Sequence, residues 1–85
     1  MPTIIVTNPF KKDLLSLSKE EQNQAKKTIR FLAENPRHPS LQTHKIKGTP
    51  FIEAYVNKDI RIVFEATRDT LTLLAIGHHD ILRKY

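Results

Sequence analysis

Seven side chains in the second half of this sequence carry groups that can handle a phosphodiester: Lys45, Lys47, Glu53, Tyr55, Arg61, His78 and His79. Lysine and arginine together hold a phosphate and stabilise the extra negative charge of a pentacovalent transition state. A histidine, or a tyrosine or glutamate with a shifted pKa, moves protons to and from a ribose 2′-OH and a leaving 5′-oxygen. The set therefore suits RNA cleavage by 2′-OH attack, and it suits plain binding of RNA or an acidic peptide equally well. Each residue also has a simpler role. Arg61 with Glu53 or Glu65 makes a cross-strand ion pair worth roughly 0.2–1 kcal/mol on a solvated face. Lys45 and Lys47 guard a sheet edge against aggregation, and Tyr55 is half-buried packing. Adjacent histidines on a strand point to opposite faces, and His78-His79-Asp80 lacks zinc-ligand spacing. No metal and no cofactor is expected.

The elements that hold these groups must be built from 85 residues, which allow one domain, residues 1–85. With no cysteine there is neither a disulfide framework nor a thiolate metal site, as expected of a protein made in a reducing cytoplasm. The apolar runs Ile62–Phe64 and Leu73–Ile76 are far shorter than the ~20 residues of a membrane span, and Met1-Pro2-Thr3 does not open a signal peptide. At 39% hydrophobic and 27% charged, the chain is too apolar for a disordered tail. A formal net charge of +5 leans toward an anionic partner.

Thr3 to Thr7 are all β-branched and predict a strand. Asn8 as N-cap and Pro9 at the first helical position predict a helix to about Leu17. Ser18 and Glu21 fit a capping box that opens a second helix, with Ala25, Ile29, Leu32 and Ala33 on one face and an end near Asn35, before Pro36. From Leu41 the hydrophobic period changes to two, and strands are expected near 42–47, 51–57, 60–66 and 70–77. The order β-α-α-β-β-β(-β) predicts an α+β fold. In it the N-terminal strand and helical hairpin pack on one face of a twisted antiparallel sheet.

Alternation sorts the two faces. Ile52, Ala54 and Val56 share a face with Ile60, Ile62 and Phe64 only if the connecting loop is Asn57 to Asp59, so that Val56 pairs with Ile60. A turn from Thr67 to Thr70 then adds Leu71, Leu73 and Ala75 to this core face. The opposite face collects Phe51, Glu53, Tyr55, Arg61, Val63 and Glu65 with Thr72, Leu74, Ile76 and His78. Lys45 and Lys47, opposite Ile46, are placed there too.

Several stretches look familiar: Asn35 to Leu41, His44 to Thr49 with its Lys-x-Lys-Gly, Glu53 to Phe64 with an Arg inside an aliphatic strand, and Ala75 to Asp80. On these the chain resembles the RelE/ParE superfamily of bacterial type II toxin–antitoxin toxins over nearly its whole length. The resemblance implies either of two activities. RelE-like members are ribosome-dependent endoribonucleases (mRNA interferases) that leave a 2′,3′-cyclic phosphate; ParE-like members inhibit DNA gyrase without catalysis. The first is the preferred reading, and a non-toxic nucleic-acid-binding relative is a further alternative. By resemblance, Arg61 is the phosphate-binding arginine, His79 lies where relatives carry an arginine or a general acid–base histidine, and Tyr85 falls near a C-terminal catalytic tyrosine. Lys45 and Lys47 match a basic pair that contacts RNA, with Tyr55 beside them. RelE's two catalytic lysines are absent, since Glu53-Ala54-Tyr55-Val56 stands in their place. Proton transfer therefore falls to His79, His78 or Glu53. The implied partners are an antitoxin encoded next door and mRNA on the ribosome, or alternatively DNA gyrase, in the cytoplasm and away from membranes. Arg61→Ala is expected to abolish growth arrest with the fold intact.

Overall fold

The structure is a computed structural model and describes residues 2–80. Its elements run β1 (Thr3–Val6), α1 (Asn8–Leu15), α2 (Lys19–Glu34), a 3-10 turn (Pro39–Leu41), β2 (His44–Lys45), β3 (Ile52–Tyr55), β4 (Ile60–Ala66) and β5 (Thr70–His78). The capping box forms as its spacing requires. The Ser18 N–H donates to Glu21 Oε1 at 3.0 Å and the Glu21 N–H donates to Ser18 Oγ at 3.1 Å, an arrangement worth about 1 kcal/mol. The first helix starts one residue earlier than expected. Thr7, not Asn8, is its N-cap: Thr7 Oγ1 accepts from the Phe10 N–H and donates to the Leu73 carbonyl at 2.8 Å. A hydroxyl can do both, so Thr7 caps α1 and pins it to β5 together.

The five strands form one sheet in the order β1-β5-β4-β3-β2. The sheet is mixed rather than antiparallel throughout. After the helical hairpin the chain enters at the far edge as β2, and the meander β2-β3-β4-β5 brings β5 back alongside β1, parallel to it. Register between β3 and β4 follows the apolar alternation, with Ile52 opposite Phe64 and Ala54 opposite Ile62. The Val56 N–H donates to the Ile60 carbonyl across the expected three-residue loop. On the helix-bearing face Phe10, Ala25 and Leu32 of the helices meet Ala54, Ile60, Ile62 and Phe64 of the sheet in one buried cluster.

One departure changes which residues face the helices. Phe64 pairs with Leu73 but Val63 pairs with Ala75, so Leu74 is an extra residue, a β-bulge in β5. Beyond it the alternation inverts. Ile76, opposite Ile62, joins the core, whereas Ala75, opposite Val63, lies on the other face, the reverse of expectation. The same inversion puts His78 opposite Ile60, on the helix side.

Candidate functional site

The face turned away from the helices is built around a buried ion pair. Glu53 and Arg61 lie on neighbouring strands and are 3% and 6% exposed, so water screens neither. Arg61 Nε donates to Glu53 Oε1 at 3.2 Å, while Nη1 donates to the carbonyls of Asn57 at 2.8 Å and Ile60 at 3.2 Å. The guanidinium carbon lies 3.5 Å from the centroid of the Tyr55 ring, its register partner, a cation–π contact at close range. Val63 and Ala75 are buried on this face as well, so it is no solvated strip. Among the described residues nothing hydrogen-bonds Nη2 of Arg61, which leaves that amino group for a ligand.

The second oxygen of Glu53 faces a residue absent from the sequence-based site. His44, opposite Glu53 in the β2–β3 register, brings Nε2 to 3.7 Å from Glu53 Oε2. Its Nδ1 lies 3.2 Å from the Gln42 carbonyl; a carbonyl only accepts, so that contact needs the hydrogen on Nδ1. The ring also meets Tyr55 edge-on, 6.3 Å between centroids. With its side chain 55% exposed, His44 is held from within and open to solution. Its face follows from the turn register. Ile46 and Phe51 bond across the turn after β2, and counting back two residues from that pair sets His44 against Glu53.

Asn57 organises the adjoining hairpin. Its Oδ1 accepts the backbone N–H groups of Asp59 and Ile60, both at 2.8 Å, and its Nδ2 donates to Gln24 Oε1 of α2 at 2.7 Å. Since its carbonyl also receives Arg61, one residue ties turn, helix and guanidinium together. Beside it lies a hollow of about 370 Å³ lined by Tyr55, Asn57, Lys58 and Arg61 together with Ser40 and Gln42.

The remaining expected residues scatter. Lys45 pairs with Ile52, hence sits on the opposite face from Arg61, and Lys47 is exposed in the turn after β2. Neither joins the cluster, because His44 and Ile46 hold the alternation that the lysines were assigned. His78, displaced by the bulge, lies near the start of α2. There its charge, after the Ser18 backbone N–H and hydroxyl, helps hold the Glu21 carboxyl below its ordinary value. It is not beside Arg61. His79 is exposed just past β5, two residues beyond Gly77, the register partner of Arg61. Tyr85 lies outside the described residues. Glu53 is enclosed between Arg61 and His44 and is buried.

A family profile described as the bacterial toxin of type II toxin–antitoxin systems, YafQ, matches residues 2–84. Among solved structures the chain is similar to the Escherichia coli DinJ–YafQ toxin–antitoxin complex, at 21% identity and a TM-score of 0.79, over 95% of this chain and 96% of that one. It is similar to a conserved hypothetical protein from Helicobacter pylori at 29% identity and a TM-score of 0.72, covering 94% and 97%. It is also similar to the archaeal RelE–RelB complex from Pyrococcus horikoshii OT3 at 17% identity and a TM-score of 0.76, covering 91% and 93%. No curated protein matches the chain. The Escherichia coli and archaeal likenesses establish the fold.

Proposed function

The chain belongs to the YafQ family of bacterial type II toxin–antitoxin toxins, and from that premise we propose that it is an endoribonuclease that cleaves mRNA on the ribosome. One observation carries the chemistry. An exposed imidazole, His44, is held against the buried Glu53–Arg61 pair, next to a hollow lined by Arg61, Tyr55 and Lys58. Arg61 Nη2 and the Lys58 ammonium supply positive charge for the scissile phosphate, and the Tyr55 ring offers a surface on which a base stacks. The sheet order sets His44 on one side of Arg61 and His79 on the other. One imidazole takes the 2′-OH proton as O2′ bonds to phosphorus. The P–O5′ bond breaks and the second imidazole, in its protonated form, gives its proton to the departing oxygen. The products are a 2′,3′-cyclic phosphate and a 5′-OH. Glu53 acts through its neighbours, fixing the His44 ring and the Arg61 fork as a positioning residue.

The partner that silences the toxin is a cognate antitoxin, as in the DinJ–YafQ and RelE–RelB complexes. The site of action is the cytoplasm, where mRNA is translated; among the described residues no helix is long and apolar enough to cross a membrane. Induction in a bacterial host tests the activity. The wild-type chain is expected to stop translation within minutes and to leave mRNA fragments ending in 2′,3′-cyclic phosphate. His44→Ala and His79→Ala are each expected to lower the cleavage rate by about 100-fold. Intact mRNA, with filamentation and a DNA-damage response in its place, would make the protein a gyrase poison and overturn the nuclease reading.

A further inference from the structure

Arg61 is held in part by a loop, and that loop is tied to the helical layer. Two groups that accept from the guanidinium are backbone carbonyls, of Asn57 at 2.8 Å and Ile60 at 3.2 Å. They bracket Lys58 and Asp59, so where they point depends on how the chain turns between them. The Asn57 amide closes this turn, since its Oδ1 accepts the N–H groups of both Asp59 and Ile60 at 2.8 Å. An amide oxygen engaged twice fixes the orientation of the whole group, and Nδ2 must then find an acceptor elsewhere. It finds Gln24 Oε1, at 2.7 Å and 33 residues away in the chain. Gln24 stands on α2 beside Ala25 and Thr28, both buried, so the core fixes the backbone that carries it. Gln24 does not line the hollow next to Arg61.

We propose that Gln24 is a positioning residue for phosphodiester cleavage: acting through Asn57, it holds the Arg61 guanidinium so that Nη2 meets the scissile phosphate. The proposal rests on the nuclease reading above and adds the helical layer to a site otherwise built by the sheet. Water can accept from Asn57 Nδ2 in place of Gln24, but water is not anchored to α2. The Asn57 side chain is then free to leave its two N–H partners, and the carbonyls that orient Arg61 move with the turn. A guanidinium displaced by a fraction of an ångström still binds a phosphate, yet it serves the transition state less well. The effect therefore falls on kcat and not on KM.

Two substitutions of similar size separate the acceptor from everything else about the residue. Gln24→Met keeps the length and the helix propensity but removes the acceptor, whereas Gln24→Glu keeps an oxygen for Asn57 Nδ2. With ribosome-bound mRNA as substrate, Gln24→Met is expected to lower kcat about tenfold and to leave KM within about twofold. Gln24→Glu is expected to stay within about threefold of wild type in both. Asn23→Met, at the exposed neighbouring position, is the control and is expected to cut like the wild type. Thermal melting sets an assay temperature well below every midpoint, and Gln24→Ala replaces the Met variant if that one does not fold. The hold on Arg61 is read separately, from hydrogen exchange at its Nε–H by NMR of the purified chain. Exchange is expected to be faster in Gln24→Met and unchanged in Gln24→Glu. A Gln24→Met variant that keeps either the wild-type kcat or the wild-type exchange rate overturns the proposal. So does a Gln24→Glu variant that loses as much as Gln24→Met. If the wild-type chain cuts no mRNA, the nuclease reading fails, while the exchange rates still show whether Gln24 holds Arg61.

Discussion

The two hairpins of the meander are handled in opposite ways. At the β3–β4 loop Asn57 bridges turn and helix, Arg61 is held by Glu53 and two carbonyls, and Tyr55 covers the guanidinium. At the β4–β5 turn, Arg68 is exposed and, among the described residues, makes no ion pair or hydrogen bond. Their net charges differ little, yet their consequences do. A charge enclosed by hydrogen bonds is fixed in place and suits chemistry, which needs groups positioned within fractions of an ångström. A charge left free beside apolar surface suits recognition, where a partner completes the contacts.

The largest test of that contrast is Arg61→Ala. It would strand Glu53 as a buried carboxylate, and breaking such a pair costs about 3–5 kcal/mol, a large share of the stability of so small a domain. Loss of growth arrest in this variant would therefore report unfolding as much as chemistry. The sequence alone predicts that the fold survives this change, whereas the burial of the pair predicts that it does not; denaturant unfolding decides. Next comes Asn57→Ala, which leaves two turn N–H groups without their acceptor and unties Gln24, an expected cost of about 2 kcal/mol. A shift below about 0.5 kcal/mol would show that water replaces the side chain and that the hairpin is less fixed than its hydrogen bonds suggest. Smallest is Arg68→Ala, expected to change stability by under about 0.5 kcal/mol, as for a surface residue with no partner. A larger loss would mean the second hairpin is also internally braced, and the contrast would collapse.

Much of this arrangement is written in local patterns. Thr3 to Val6, the Ser18–Glu21 box and the alternation from Ile52 to Phe64 each specify their element, and the last of these fixes the register that sets Tyr55 against Arg61. What escaped was long-range or lacked a phase. The parallel pairing of β1 with β5 depends on how the whole meander returns, which no window of residues records. Leu73-Leu74-Ala75-Ile76 is apolar at every position, so alternation has nothing to count and the bulge at Leu74 is silent. His44 is not legible because the phase of its short strand depends on the Ile46–Phe51 pairing, which local alternation leaves open.

The extra residue at Leu74 gives β5 two halves of opposite phase, joined in mid-strand. The first half answers to the packing of Leu71 and Leu73 under the helices, and the second sets Gly77 opposite Arg61 and His78 opposite Ile60. An insertion or loss of one residue there would move Gly77 and His78 to each other's face of the sheet. Which residue stands opposite Arg61 is thus a matter of counting, set by a position that itself bears no reactive group.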